Sequence, residues 1–335
     1  MKTMWLLIFA ILILLVLDVS VSPIFAKAPT TPKILFTSAR DGNDEVYMMN
    51  PDGSEQVNLT QHPTHDVSAV WSPTGEEILF TSDRQGKGVW DLYLMDADGS
   101  NVRRVFKKKI KERRFGATWS PDGKQFAYRG KSGLYLGTFG EEDVESLPIG
   151  NSPVWSPDGS EIACSVSHAL GARLTFINVR TRDREQPLPD KALPWQRLPS
   201  WSAAGDRLAI SGNKHPIPAI LDRDLHEAWR DKTTVYIVNR DGTGLRQLVE
   251  EAGPNIGVAA LSPDGSQVLY GQEINGNEQL FKLDINTGVR TQLTHIGALF
   301  HQANFQGDWF DPAYALPVSP QPHLLTTTWG DVKKQ

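Results

Sequence analysis

The sequence predicts an all-β protein that is built from repeated four-stranded antiparallel units. Three observations lead to this prediction. An aromatic residue followed by Ser-Pro-Asp-Gly, or by a close variant, recurs along the 335-residue chain. A short apolar run typical of a β-strand follows each copy, and turn dipeptides such as Asp-Gly separate the later runs. Repeats with several short strands between turn signals are typical of closed or stacked β architectures.

The motif supplies one hairpin turn for each unit. The residues that begin the copies, in chain order, are Trp71, Trp119, Trp155, Trp201, Leu261 and, in a degraded copy, Phe305. Intervals near 45 residues have room for four short strands. In the turn itself, Pro presets φ, Asp can accept a bond from the backbone ahead of it, and Gly accepts a positive φ. Each copy therefore connects the first and second strands of a unit.

The two ends of the repeat array complement each other. Residues 34–60 supply a second, third and fourth strand with no first strand before them, and residues 301–305 supply a first strand with no successors. Together they complete one split unit beside five continuous ones. We therefore predict a six-bladed β-propeller of four-stranded antiparallel blades, with the last blade closed by the N- and C-terminal strands. Closure removes exposed sheet edges, which an open array would leave unpaired.

The repeat resembles that of TolB-type six-bladed β-propellers, which are also called WD-repeat-like and occur in propeller domains of the tricorn and prolyl oligopeptidase type. Residues 34–53 carry the resemblance best, with Thr-Ser-Ala-Arg at 37–40, Asp-Gly-Asn-Asp-Glu at 41–45 and Asn-Pro-Asp-Gly at 50–53. It covers about residues 33–310. The units at 126–150 and 162–190 lack the Asp-Gly-Asn loop. The resemblance implies a propeller scaffold, a fold that serves many different partners.

The N-terminus is typical of a secretory signal peptide. Lys2 precedes an apolar run over residues 4–17, and an Ala-x-Ala sequence ends at Ala28. The run is shorter than the roughly 20 residues of a membrane span. We expect cleavage after Ala28, with an uncleaved anchor as the alternative. The predicted division is a signal peptide (1–28), the propeller (29–312) and a C-terminal tail (313–335), in a periplasmic or secreted protein without an integral membrane domain.

Charge and motifs exclude several classes of function. The 34 basic and 39 acidic residues give a net charge of −5, so no general attraction to nucleic acid is expected. The single cysteine, Cys164, excludes an internal disulfide, and its apolar strand predicts a buried, inert thiol. Neither a Gly-x-Ser-x-Gly elbow nor a phosphate-binding Gly-Lys-Ser/Thr occurs. No cofactor is predicted.

Two further features have structural interpretations. The tryptophans at the repeated position are expected to be wedges between neighbouring sheets rather than ligand-stacking groups, because a large flat ring fills the gap between twisted sheets. The longest interval, from Trp201 to Leu261, has its excess at 212–232. Ile220, Leu221, Leu225, Ala228 and Trp229 there have helical spacing. A short helix is predicted, either as a plain insertion or as a lid or docking element.

Residues just before each first strand are expected to ring one mouth of the central tunnel, where convergent polar groups favour a ligand or peptide site. The alternative is that the mouth is polar without binding anything. The candidate residues, in chain order, are His65, Asp66, Arg113, Arg114, Asn151, Gln196, Arg197, Asn255 and His301.

The function predicted from the sequence is an exported, monomeric, non-catalytic propeller that binds a protein, a peptide or a small ligand. One alternative is a calcium-dependent, lactonase-like hydrolase, with Asp66, Asn151, Asn255 and Asn304 around the tunnel. Only one of these is a carboxylate, which argues for weak calcium affinity. Another alternative is a free-standing propeller of the peptidase type.

Overall fold

A computed structural model describes residues 27–108, 113–147, 149–168, 171–189, 191–218, 223–251, 256, 260–295 and 304–317. The expected signal peptide, except Lys27 and Ala28, lies outside these residues, as do Asn255 and His301. Ala28 itself packs against the folded core. Within the described ranges no helix is long and apolar enough to cross a membrane.

Strands account for nearly all the regular structure. They are β1 (Lys33–Ser38), β2 (Glu45–Met49), β3 (Val57–Asn58), β4 (Asp66–Trp71), β5 (Glu77–Ser82), β6 (Asp91–Asp96), β7 (Arg103–Arg104), β8 (Phe115–Trp119), β9 (Gln125–Arg129), β10 (Leu134–Thr138), β11 (Val144–Leu147), β12 (Asn151–Trp155), β13 (Glu161–His168), β14 (Gly171–Asn178), β15 (Arg184–Glu185), β16 (Trp195–Trp201), β17 (Arg207–Asn213), β18 (Thr234–Asn239), β19 (Arg246–Gln247), β20 (Ala260–Leu261), β21 (Gln267–Ile274), β22 (Asn277–Asp284), β23 (Arg290–Gln292) and β24 (Asn304–Phe310). In the described part of the chain, one helix, α1 (Arg223–Arg230), interrupts them.

The strands associate in units of four, antiparallel and mostly in chain order. Unit 1 joins β24 to β1–β3, and the later units are β4–β7 (unit 2), β8–β11 (unit 3), β12–β15 (unit 4), β16–β19 (unit 5) and β20–β23 (unit 6). A parallel bridge between Ala172 and Trp195 joins units 4 and 5 into one sheet. The pairing of β24 with β1 brings the two ends of the repeat array into one sheet.

The Ser-Pro-Asp-Gly turns form as their chemistry predicts. In unit 3, the Gly123 N–H donates to the Ser120 carbonyl at 2.9 Å, and the Ser120 hydroxyl donates to Asp122 at 2.6 Å. The same hydroxyl accepts the N–H of Gln125 at 2.8 Å. Gly123 has φ +72, a conformation that side chains with a Cβ rarely adopt. This turn therefore fixes the register between the first two strands of the unit.

Apolar cores lie between consecutive units, and the repeated tryptophans occupy them. Trp71 packs between units 1 and 2, Trp119 between units 2 and 3, Trp155 between units 3 and 4, and Trp201 between units 4 and 5. Leu261 takes the same place between units 5 and 6. All are buried. The prediction that these residues are wedges is confirmed.

The sequence prediction placed the sixth motif residue incorrectly. The last first-strand is β24 (Asn304–Phe310), not residues 301–305, and it pairs Trp309 with Ile34. Ile34 corresponds to Ile78, which pairs with Trp71 in unit 2. The wedge is therefore Trp309, which packs with Phe36 and Leu269 in the core between units 6 and 1. The sequence does not mark Trp309 as the wedge, because residues 309–312 lack the Ser-Pro-Asp-Gly turn.

The 212–232 insertion contains α1, as predicted, but its buried face differs from the predicted one. Only Trp229 is buried, whereas Leu225 is 51% exposed and Ala228 is also exposed. The Trp229 indole N–H donates to the His215 carbonyl at 2.9 Å, and its ring packs edge-on against Trp195. A single aromatic anchor rather than an apolar stripe thus holds the helix. Ile220 and Leu221 lie outside the described residues.

Candidate functional site

A cavity of about 570 Å³ lies where the first strands of all six units converge. Its wall includes residues 68–73, 115–121, 151–157 and 197–203 from units 2 to 5, together with residues of β20 and β24. The wall is mostly apolar and hydroxyl-bearing. The charged side chains that line it are Arg129, Arg197, Asp308 and Asp311.

A β-bulge in the first strands of units 2 to 5 sets which side chains face this cavity. The register shifts between Val67 and Val70 in β4 and between Arg197 and Ser200 in β16, with equivalent shifts in β8 and β12. A bulge adds one residue and so exchanges the faces of the residues beyond it. The bulged residues Ser68, Gly116, Ser152 and Leu198 share a positive φ of 52 to 56.

Asp66, Arg114 and Gln196, which were predicted at the mouth, do not line the cavity. The bulge places Asp66 on the strand face of Trp71, where it is fully buried and binds the Arg84 guanidinium at 2.8 and 3.2 Å. At the same position in unit 3, Arg114 pairs with Asp91 at 3.0 Å. In unit 5, buried Gln196 accepts the N–H of Leu174 at 2.9 Å and donates to the Leu193 carbonyl at 2.7 Å. These side chains hold strands together.

His65 and Arg113 lie just outside the cavity, on an aromatic ledge formed by His65, Trp90, Arg113 and Phe115. Trp90 is 6.3 Å from His65 and 5.5 Å from Phe115, measured between ring centroids. The Arg113 guanidinium lies over Trp90 at 5.7 Å and over Phe115 at 5.0 Å. Phe115 also lines the cavity, so the ledge leads directly into it. Rings in tilted and edge-to-face contact, with a cation over two of them, offer a surface for apolar and aromatic groups.

Asn151 and Arg197 are the predicted mouth residues that the structure places on the cavity wall. Arg197 stacks on Trp195 at 5.2 Å. Burial lowers the pKa of its guanidinium, and the positive charge of Arg129 lowers that pKa further. Asn255 and His301 lie outside the described residues. Because the wedge of unit 1 is Trp309, the position predicted for His301 shifts by four residues to Phe305, which pairs with Thr37 as Arg197 pairs with Ser211.

Sequence reasoning missed Arg129 and Asp308. Arg129 ends β9 at the position that Thr37, Thr81, Ser165 and Ser211 hold in other units. Aligning the second strands on that position, rather than the first strands on the aromatic residue, would have singled it out. Asp308 accepts the N–H of Trp71 at 2.7 Å, which joins unit 1 to unit 2. Burial raises its pKa to about 7.

The acidic residues of the 41–45 turn and the single cysteine have structural roles. Asp41 accepts hydrogen bonds from Tyr47 and Asn58, and Glu45 is buried beside Thr60 and the N–H of His62. These contacts order a turn. Burial raises the pKa of Cys164 to about 12, which makes its thiol unreactive at neutral pH. The described part of the chain contains no cluster of three or more metal-ligating His, Cys, Asp or Glu side chains.

Comparison with known proteins agrees with this architecture. A family model described as the TolB beta propeller domain matches residues 17–146. The Tol-Pal system protein TolB of Alcanivorax borkumensis is 36% identical over 101 residues, a match that covers 27% of this chain and 23% of that protein. The chain thus matches about a quarter of the length of that relative.

Solved structures extend the likeness across the chain. TolB from Acinetobacter baumannii superposes with a TM-score of 0.66 at 14% identity, covering 83% of this chain and 66% of that one. An oligogalacturonate lyase from Vibrio parahaemolyticus gives a TM-score of 0.51 at 12% identity, covering 80% and 76%. At these identities the likeness concerns the fold alone. The units of strands, the family-model match over residues 17–146 and the similarity to TolB support a TolB-type β-propeller repeat protein.

Proposed function

We propose that this chain is an exported, non-catalytic six-bladed propeller that binds a protein segment at the mouth of its central cavity. Cores between units 6 and 1 and between units 1 and 2 both include residues of β24, which supports closure into a ring. The single observation that carries the binding role is the aromatic ledge that continues into the cavity through Phe115. An extended segment could lie on the ledge and insert its end between the first strands.

The calcium-dependent hydrolase gains no support from the geometry. Its one carboxylate, Asp66, is buried and already bound through both oxygens to Arg84. A similar fold in a lyase does not carry its reaction to this chain, because function belongs to sites rather than to folds. The relative that is named for the Tol-Pal system supports a role in the cell envelope, as does the signal-peptide pattern.

Photocross-linking in the native host tests the binding role. A benzoylphenylalanine probe at Phe115 is expected to capture one discrete partner, because this side chain borders the cavity. The same probe at Val144, exposed on the outermost strand of unit 3, is the matched control. Equal capture from both positions, or none from Phe115, would contradict the proposal.

A second variant narrows the cavity without altering the backbone. Gly116 has φ +56, and a Cβ there would meet no atom within 4 Å. Leu198 occupies the equivalent bulge with φ +55, so the conformation tolerates leucine. Gly116→Leu should therefore lower the melting temperature only modestly, through backbone strain at a positive φ, while reducing capture from Phe115. Unchanged capture would place the partner elsewhere on the surface.

A further inference from the structure

Unit 3 differs from units 1, 2, 4 and 5, which have a serine or threonine, at the position of Arg129. In unit 2, the Thr81 hydroxyl accepts the N–H of Gly116 from unit 3 at 3.1 Å. In unit 4, the Ser165 hydroxyl accepts the N–H of Leu198 from unit 5 at 3.2 Å. These bonds tie neighbouring first strands together at their bulges. Unit 3 has Arg129 at this position, so the equivalent N–H, that of Ser152, faces no such hydroxyl.

Arg129, which replaces the hydroxyl residue, shares the cavity with a second arginine. Arg129 and Arg197 line the same cavity, with Asn151 and Ser152 of unit 4 on the wall between their units. Among the described residues neither guanidinium has an ion-pair partner. Their mutual repulsion contributes to the lowered pKa of Arg197. Two like charges held together without a counter-ion are a destabilising arrangement, which an anion bound between them would relieve.

The acidic residues of the cavity are too far away to fill that role. Asp308 stands immediately before the wedge position of unit 1, whereas Arg197 stands four residues before the wedge position of unit 5. Counted on the unbulged partner strands, that difference is two residues, or roughly 7 Å along the strand direction. Unit 1 also lies three units away from unit 4, on the opposite side of the proposed ring. The cavity is therefore basic at one end and acidic at the other.

We infer that Arg129 and Arg197 form a carboxylate-binding site, and that the segment recognised at the cavity mouth presents a peptide carboxylate to them. The inference rests on the proposed function and specifies its ligand chemistry. Two planar guanidinium forks suit a carboxylate, which can accept paired hydrogen bonds. The Asn151 amide lies on the same wall and can add a donor. The aromatic ledge would contact apolar residues that neighbour this carboxylate in the bound segment.

Calorimetric titration of the full chain with short peptides tests this inference. Acetyl-tetraglutamate amide carries side-chain carboxylates only, and acetyl-tetraglutamine with a free C-terminus carries a terminal carboxylate only. Acetyl-tetraglutamine amide has neither. We expect one of the first two to bind, the third not to bind, and Arg129→Gln and Arg197→Gln each to weaken binding about tenfold or more. Arg129→Lys should retain part of the affinity, because it keeps the charge but not the fork.

Lys124→Gln is the matched control, since it removes one positive charge just before β9, at the opposite end of that strand from Arg129. It should leave binding unchanged. Arg129 is exposed, so its replacement should not unfold the protein, and the melting temperature checks this. Binding that persists in a variant carrying both Arg129→Gln and Arg197→Gln would overturn the inference. So would an absence of binding to both carboxylate peptides, or tighter binding of digalacturonate. Cross-linking from Phe115 that persists in any of these cases would leave the proposed function standing.

Discussion

The indole side chains between units show how single residues hold this fold together. The ring of Trp119 lies 4.4 Å from that of Phe139, between centroids, and only 8% of the residue is exposed. Its Nε1 has no hydrogen-bond partner within the described structure. The residue therefore contributes through its apolar area and shape, not through its donor.

We expect Trp119→Ala to lower the free energy of unfolding by about 3–5 kcal/mol, because it leaves a large cavity between units 2 and 3. Trp119→Phe should cost less, since it retains the aromatic contacts and removes an unpaired donor. Urea denaturation followed by circular dichroism measures both. A loss below about 0.5 kcal/mol for the alanine variant would mean that Trp119 is not a wedge.

Asp308 should make stability depend on pH. Burial raises its pKa from 3.8 to about 7 in the folded chain, so the folded state keeps a proton that the unfolded state releases. The contribution of the Asp308 proton to the free energy of unfolding is complete below pH 3.8 and is lost as the pH rises toward about 7. We predict that Asp308→Asn has a shallower loss of stability across this range than the natural chain. Parallel profiles of the two proteins would show that Asp308 does not titrate in this way.

Single residues also mark the limits of sequence reasoning. The wedges at Trp71, Trp119, Trp155 and Trp201 could be predicted because each is followed by a recognisable turn. Trp309 could not, because its register comes from pairing with Ile34, more than 270 residues away in the chain. The facing direction of Asp66 was equally hidden, since it depends on a bulge that the sequence does not mark.

At the scale of elements, the inserted helix is held by contacts around one side chain. Besides the Trp229 indole bond to His215, the Asn213 amide donates to the Trp229 carbonyl at 2.6 Å. The helix has only eight residues, too short to be stable alone in water. Its order therefore depends on docking against unit 5.

We predict that Trp229→Ala undocks α1 while units 1 to 4 keep their stability. Hydrogen exchange should become faster at the amides of Arg223–Arg230 and stay unchanged in β5 and β9. Leu225→Ala is the control, because that side chain is half exposed on the same helix. Equal exchange rates in α1 for the natural chain and the Trp229 variant would contradict the anchoring role.

The presence of a helix in the insertion was predictable from spacing, whereas its buried face was not. Helical periodicity assumes that apolar residues turn toward a core. Here Leu225 and Ala228 face solvent, because α1 touches the rest of the structure through Trp229. The hairpin turns, by contrast, depend only on local chemistry, and the sequence was sufficient to place those at Ser72, Ser120, Ser156, Ser202 and Ser262.

At the scale of the whole molecule, ring closure should keep the protein monomeric. The outermost strands are short, with only two residues each in β3, β7, β15 and β19, so they offer little edge for strand addition. Sedimentation equilibrium of the mature protein should give the mass of one chain. An obligate dimer would show that an interface between two copies of the chain is needed to complete the fold.

We propose that the chain closes into a ring through β24. Trp309 packs between units 6 and 1 and Phe310 between units 1 and 2, so one strand supports both cores that flank the seam. An open repeat array tolerates the loss of a terminal element, because only one interface is affected. A ring loses two interfaces at once and exposes β1 as a long inner edge.

Thermal unfolding of two truncated chains tests this claim most directly. We expect that deletion of residues 298–312, which removes β24, abolishes the cooperative transition or causes aggregation. Deletion of residues 318–335, which follow the closing strand, should shift the transition only slightly. Similar cooperative melting of both truncated chains would contradict closure through β24 and would favour an open array of units.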